Sequence, residues 1–297
     1  MNARFAAAWN ALWFAPAPAR TLAGARIVIA VHALWILASR EFAALGALPS
    51  PFWTATARST RLRYGLLLGA PAWSGHATVL LLAVSLVLVA LGWRVRATAL
   101  AAALLLYHVA PLEAALWSAS AYERGFEVSI LALVVLSASR AGDVWRLGGG
   151  PPPPDDGAYR WPLVLIRLFV AQIYLFGGWS KLVRVGPEWV SADNLRRWLV
   201  QFAEMDQLQL FKSLGPWIAD HPALCAAAAI GAIALDLTFV TTVWSRRARR
   251  LLVPAALAMH AGILLAMNIA FLNLPQLLVF ADWDRFARGR DQSKRTS

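Results

Sequence analysis

Arg167, Tyr174 and Lys181 stand seven residues apart in an otherwise apolar run, WPLVLIRLFVAQIYLFGGWSKL at 161–182. At 100° per residue this spacing places all three on one stripe of a helix. A guanidinium, a phenol and an amine on one stripe are groups that bind anions, pass protons and act as a base. Gly177 and Gly178 interrupt the bulk beside that stripe, and glycines let another helix or a ligand approach closely. Tyr174, Gly177 and Gly178 are therefore candidate cofactor contacts. A lysine at the end of such a run has two readings. It snorkels to the headgroups as an anchor, or it is desolvated and becomes a base, because burial disfavours the charged amine.

Two later apolar runs each carry one polar group of interest. Asp236 lies in ALDLTFV and His260 in MHAGILLAMNIAF. A charge within a bilayer is costly and faces a partner or a cavity. Counted from the run ends, Asp236 lies at a depth similar to Arg167, so the spacing predicts a structural Arg167–Asp236 pair. His260 reads either as a packed core histidine or as a site residue. Glu113, Tyr122, Glu123, Arg124, Glu127 and Lys181 fall near one depth. They form either an acid–base constellation or a solvated rim. No HExxH and no Cys/His ligand spacing occurs, so no metal site is assigned.

The elements that must position these residues follow from composition. The 297-residue chain is 59% hydrophobic and only 15% charged, whereas soluble domains carry about a quarter charged residues. Fifteen tryptophans suit a protein with many membrane interfaces. The net charge of +12 is spread between apolar runs rather than on one polar face. It reads as membrane topology, not nucleic-acid binding, and the expected partners are membrane lipids, with no protein partner assigned. The single cysteine, Cys225, forbids an internal disulfide.

A span needs roughly 20 apolar residues. The runs at 22–40, 76–93, 97–117, 125–140, 161–182, 223–244 and 251–271 predict an all-α integral membrane protein of about seven or eight transmembrane helices with interfacial helices. Residues 273–283 read as a re-entrant piece or a tilted last crossing. Phe5, Trp9, Leu12 and Trp13 recur at helical spacing, so residues 1–20 read as an interfacial segment. The membrane domain then covers 21–286, and 287–297 form a basic disordered tail. A surface helix is expected within 41–75. The segment 146–160, rich in Gly and Pro, reads as a linker between two halves. RRARR at 246–250, between adjacent runs, puts the N-terminus in the cytoplasm and Lys181 on the outer side of an inner (plasma) membrane.

The order of these signals resembles the HTTM (horizontally transferred transmembrane) domain family, whose best-known member is the vitamin K-dependent gamma-glutamyl carboxylase. The resemblance runs from about 14 to 286. FAPAPARTLAGARIVIAVHALWI resembles the family's opening, with Arg26 entering the first span. LGWRVRATAL at 91–100, WSASAYERG at 117–125 and SASRAGDVW at 137–145 follow in register. QIYLFGGWSKL, with EW at 188–189, resembles the family's most specific motif, Tyr-Phe-x-Ala-Gly-x-x-Lys-Leu followed by a Trp. ALDLTFV and MHAGILLAMNIAFLNLPQLLVF resemble its acid-bearing and histidine-bearing spans.

In the carboxylase the motif lysine deprotonates vitamin K hydroquinone, and oxygenation then drives proton removal from a glutamate side chain, to which carbon dioxide adds. The resemblance implies that Lys181 is the base, with His260 near the reacting centre, Tyr122 as a further polar partner and a quinol as cofactor. Three departures stand beside it. The family's Asn-Asn-His is Ser118-Ala119-Ser120, its paired lysines are Ser180-Lys181, and no large soluble region follows the last span in this sequence. Glutamate carboxylation is accordingly not expected. Quinol- or lipid-dependent chemistry is the enzymatic reading, and a non-catalytic lipid-binding or assembly protein is the alternative.

Overall fold

The structure is a computed structural model that describes residues 3–40, 42, 44, 72–116, 126–204, 211 and 213–287. Tyr122, Glu123 and Arg124 lie outside the described residues, as do the side chain of Glu113 and most of 41–75. Ten α-helices are described: α1 Ala3–Phe14, α2 Ala19–Ala38, α3 Ala72–Ala90, α4 Val95–Leu116, α5 Glu127–Ser137, α6 Arg160–Val185, α7 Ala192–Glu204, α8 Leu214–Ala219, α9 Pro222–Thr238 and α10 Arg246–Met267. Short 3-10 segments follow at Gly157–Tyr159, Gly186–Val190, Phe239–Val243 and Leu274–Phe280. The described residues contain no strand, only one isolated bridge between Ala17 and Asp156.

Each of the seven apolar runs holds a helix. Among the described residues, four helical stretches are long and apolar enough to cross a membrane: α2, α6 with its flanking 3-10 turns, α9 with its 3-10 extension, and α10. The apolar stretches Gly75–Ala90, Val95–Ala110 and Glu127–Ser137 fall short of that length. At 1.5 Å per residue the last covers about 17 Å, against a hydrocarbon core of about 30 Å. The 273–283 region forms the 3-10 segment Leu274–Phe280, about 14 Å long at 2 Å per residue, which by itself is shorter than the hydrocarbon core.

By internal contacts the chain divides into two compact units, Met1–Ile166 with Ala281–Ser297, and Arg167–Phe280. The boundary falls inside α6 and not in the Gly/Pro segment expected to separate two halves. That segment is fastened within the first unit. Ala17 and Asp156 exchange backbone hydrogen bonds of 3.2 Å, and Arg160 Nε donates to the Leu12 carbonyl at 3.1 Å. The Tyr159 hydroxyl donates to Asp143 at 2.7 Å, and Arg140 bridges Asp143 at 2.8 Å and Asp156 at 3.1 Å. The two carboxylates hold the exposed Arg140 guanidinium above its ordinary pKa, Asp143 contributing most.

In the first unit α2 packs on α3 and α5, and α4 packs on the same two helices. Arg26, fully buried in α2, donates to the carbonyls of Ala141 (2.6 Å), Val144 (3.2 Å), Ala90 (3.3 Å) and Trp145 (2.5 Å). Ala90 closes α3, so the guanidinium satisfies a helix end that has no intrahelical donor left. His32 contacts the Ser129 hydroxyl at 3.4 Å between α2 and α5. Gly24 lies against Trp283, and a Cβ there would sit 2.3 Å from the indole.

In the second unit α7 is amphipathic. Its Leu199 is buried with Ala219, Cys225, Ala266 and Met267, which fastens α7 to α8, α9 and α10. Helix α10 starts earlier than the apolar run at 251–271. Ser245 caps it by accepting from the Ala248 amide at 3.1 Å, and Asn268 ends it in a left-handed conformation at φ 54. The RRARR arginines therefore occupy the first turns of a helix rather than a loop.

Candidate functional site

Helix α6 forms because its apolar run has a single proline, Pro162, in the first turn, where no intrahelical hydrogen bond is lost. Its stripe of Arg167, Tyr174 and Lys181 meets three different elements of the second unit. Arg167 Nε donates to the Val279 carbonyl at 3.1 Å, and its guanidinium lies 5.9 Å from the Phe280 ring centroid. The Tyr174 hydroxyl lies 3.0 Å from His260 Nε2. Lys181 Nζ lies 2.8 Å from Asp236 Oδ2.

The expected Arg167–Asp236 pair is thus replaced by a Lys181–Asp236 pair. Equal depth presumed that α6 ends at the level where α9 begins. Instead α9 runs from Pro222 to Asp236 before it meets Gly178, while α6 has only Gly178 to Val185 left. The helices are staggered by about two turns. The small residue at the crossing is what permits the meeting. A Cβ on Gly178 would lie 2.7 Å from the Asp236 Cβ, whereas one on Gly177 would lie an ordinary 4.0 Å from Asp236 Oδ2.

The pair is asymmetric. The Asp236 side chain is 6% exposed and that of Lys181 is 33% exposed, so the carboxylate is inside and the ammonium reaches the surface. Trp189, from the 3-10 segment after α6, covers Nζ at 4.6 Å from the ring centroid. This cation–π contact adds an attraction and restricts the lysine's direction. Lysine at this position is neither a free headgroup anchor nor an isolated buried amine.

Aromatic rings surround the Tyr174–His260 couple. Tyr174 stacks on Phe239 with centroids 4.1 Å apart, and Phe239 meets Phe280 edge-on at 5.5 Å. His260 rests against Phe271 at 4.5 Å. Which of Tyr174 and His260 donates is set by the imidazole tautomer. His260 Nδ1 is buried without a partner among the described residues. The two couples share helix α6, where Tyr174 and Lys181 stand two turns apart on one face. Together the four side chains can hold a polar head of an otherwise greasy ligand and pass a proton among oxygen and nitrogen atoms.

Lys181 is thus brought to Asp236 and Tyr174 to His260, Gly178 serves the helix approach, and Arg167 belongs to a separate contact. Phe239, Phe271 and Trp189 complete the surround. The aromatic walls were hidden because three separate segments supply them; Trp189 was singled out as part of the motif that follows the lysine, whereas Phe239 and Phe271 lay unremarked inside the acid-bearing and histidine-bearing stretches.

The HTTM domain family model matches residues 14–281 of the chain. No curated protein and no solved structure matches it.

Proposed function

The chain belongs to the HTTM domain family, and from that premise we propose that it binds a quinol, or another hydroxyl-bearing isoprenoid lipid, between its helices and removes the hydroxyl proton at Lys181. The observation that carries this reading is the contact of Lys181 Nζ with a buried carboxylate at 2.8 Å, beside the Tyr174–His260 couple. The residues fit such a ligand. Phe271 and Trp189, both partly exposed, offer flat apolar surfaces, and the orphaned His260 Nδ1 offers one hydrogen bond to a polar head. A bound quinol would supply an acidic hydroxyl and two-electron redox chemistry. Lys181 meets the hydroxyl, His260 and Tyr174 orient it, and Gly177 leaves room beside them. Tyr122 is proposed as a further polar contact on the strength of the family resemblance. Glutamate carboxylation is not part of the proposal.

The proposed topology has seven or eight crossings, with the N-terminus in the cytoplasm and Lys181 toward the outer face of the plasma membrane. Supporting it, Arg246, Arg247 and Arg250 stand exposed in the first turns of α10, against the helix dipole, a placement that anionic headgroups would stabilise. Large exposed apolar side chains on the long helices, such as Phe176, Trp179, Val183 and Leu251, suit lipid contact.

A second reading is a non-catalytic lipid-binding or assembly protein. The closed Lys181–Asp236 pair favours it, since an ion pair also fastens two helices. Mass spectrometry of lipids retained after gentle purification separates the two. A copurifying quinone, displaced by added vitamin K hydroquinone, supports the first. Retained phospholipid alone, with no binding of the hydroquinone, supports the second.

A further inference from the structure

We infer that Asp236 is the final acceptor of the proton that Lys181 removes, so that the lysine works as a relay and the buried carboxylate as the sink. This rests on the functional reading above. Three observations carry it. Lys181 Nζ is engaged with Asp236 Oδ2 at 2.8 Å, and an ammonium has no lone pair with which to take a proton. The carboxylate is buried while the nitrogen is partly exposed, so an incoming hydroxyl reaches Nζ and not Asp236. Gly178 clears the space that brings Asp236 to this position, since a Cβ there would lie 2.7 Å from the Asp236 Cβ.

The step balances without oxidant or reductant. An N–H bond of Lys181 breaks as its proton moves to Asp236 Oδ2 and forms an O–H bond. The vacated lone pair of Nζ takes the hydroxyl proton, so the ligand's O–H bond breaks and its electron pair stays on oxygen. Lys181 ends as it began, an ammonium. Asp236 becomes neutral, and the negative charge moves to the ligand oxygen. Lys181 therefore keeps an anionic partner throughout, exchanging one ion pair for another. That avoids an unpaired charge, which is costly in an apolar interior. Trp189 limits where Nζ can point while this exchange occurs.

Infrared difference spectroscopy tests the inference on the full chain in nanodiscs, with vitamin K hydroquinone added without oxygen. The expected result is a new protonated-carboxyl band that shifts when aspartate carries carboxyl carbon-13, together with the ultraviolet spectrum of the hydroquinone oxyanion. Asp236→Asn, which keeps the volume and an acceptor for Lys181, is expected to bind the probe with both signals lost. Gly178→Ala, which displaces the carboxylate without altering a titratable group, is expected to weaken both. Binding with the oxyanion spectrum but no aspartate band overturns this inference and leaves the functional reading standing. So does an Asp236→Asn protein that still yields the oxyanion at the parent level. No binding by the parent overturns both.

Discussion

Gly178 faces Asp236 so closely that a Cβ on the glycine would lie 2.7 Å from the aspartate's own Cβ. The adjacent Gly177 has 4.0 Å to the nearest atom, Asp236 Oδ2. The two glycines are thus not equivalent, although the sequence presents them as a pair. Gly178→Ala is expected to destabilise the protein by about 1–3 kcal/mol through overpacking. Gly177→Ala is expected to be near neutral. Thermal unfolding in detergent, followed by tryptophan fluorescence, checks the difference, and equal effects would contradict the geometry.

Arg26 donates from both terminal nitrogens to four carbonyls. Arg26→Met leaves those carbonyls without this donor, and a buried group without its partner costs about 1–3 kcal/mol. The expected outcome is a large fall in melting temperature. Arg26→Lys is expected to recover little, because a single ammonium cannot span the positions a planar fork reaches. Full recovery by lysine would show that charge, not the fork, is what matters.

Tyr174→Phe keeps the stack on Phe239 and removes only the hydroxyl that meets His260 Nε2. A net loss of about 1 kcal/mol is expected. A change in the nitrogen-15 shifts of the His260 ring is expected with it. An unchanged histidine spectrum would mean that the hydrogen bond does not form in the membrane.

Much of the fold was legible because apolar runs announce helices. The seven-residue spacing of Arg167, Tyr174 and Lys181 correctly placed three polar groups on one stripe. What the stripe meets was not legible. The partner of Asp236 depends on the stagger between α6 and α9, which no apolar run encodes; α7 and α8 lie between them in sequence and pack with α9 and α10 around Leu199. At 146–160 the composition does not show the anchors that accompany it. Gly and Pro signal a linker, but Tyr159, Asp156 and Arg140 tie it down, and side chains that far apart show no periodic signature. Crossing number is harder still, since a run such as Glu127–Ser137 is apolar along its length and yet short.

Topology is open to a direct labelling test in a Cys225→Ser background. Glu188 and Arg247 are both exposed and belong to opposite faces in the proposed orientation. Glu188→Cys is expected to react with an impermeant maleimide on intact cells, and Arg247→Cys only after permeabilisation. The reverse pattern would invert the protein and place Lys181 on the cytoplasmic face.

The central claim is that Lys181, held against Asp236, takes a proton from a bound quinol hydroxyl. The most direct measurement is the ultraviolet spectrum of vitamin K hydroquinone bound without oxygen at neutral pH to the parent protein and to Lys181→Met. The account predicts an oxyanion spectrum on the parent and the unchanged hydroquinone spectrum on the variant. The same spectrum on both proteins would contradict it.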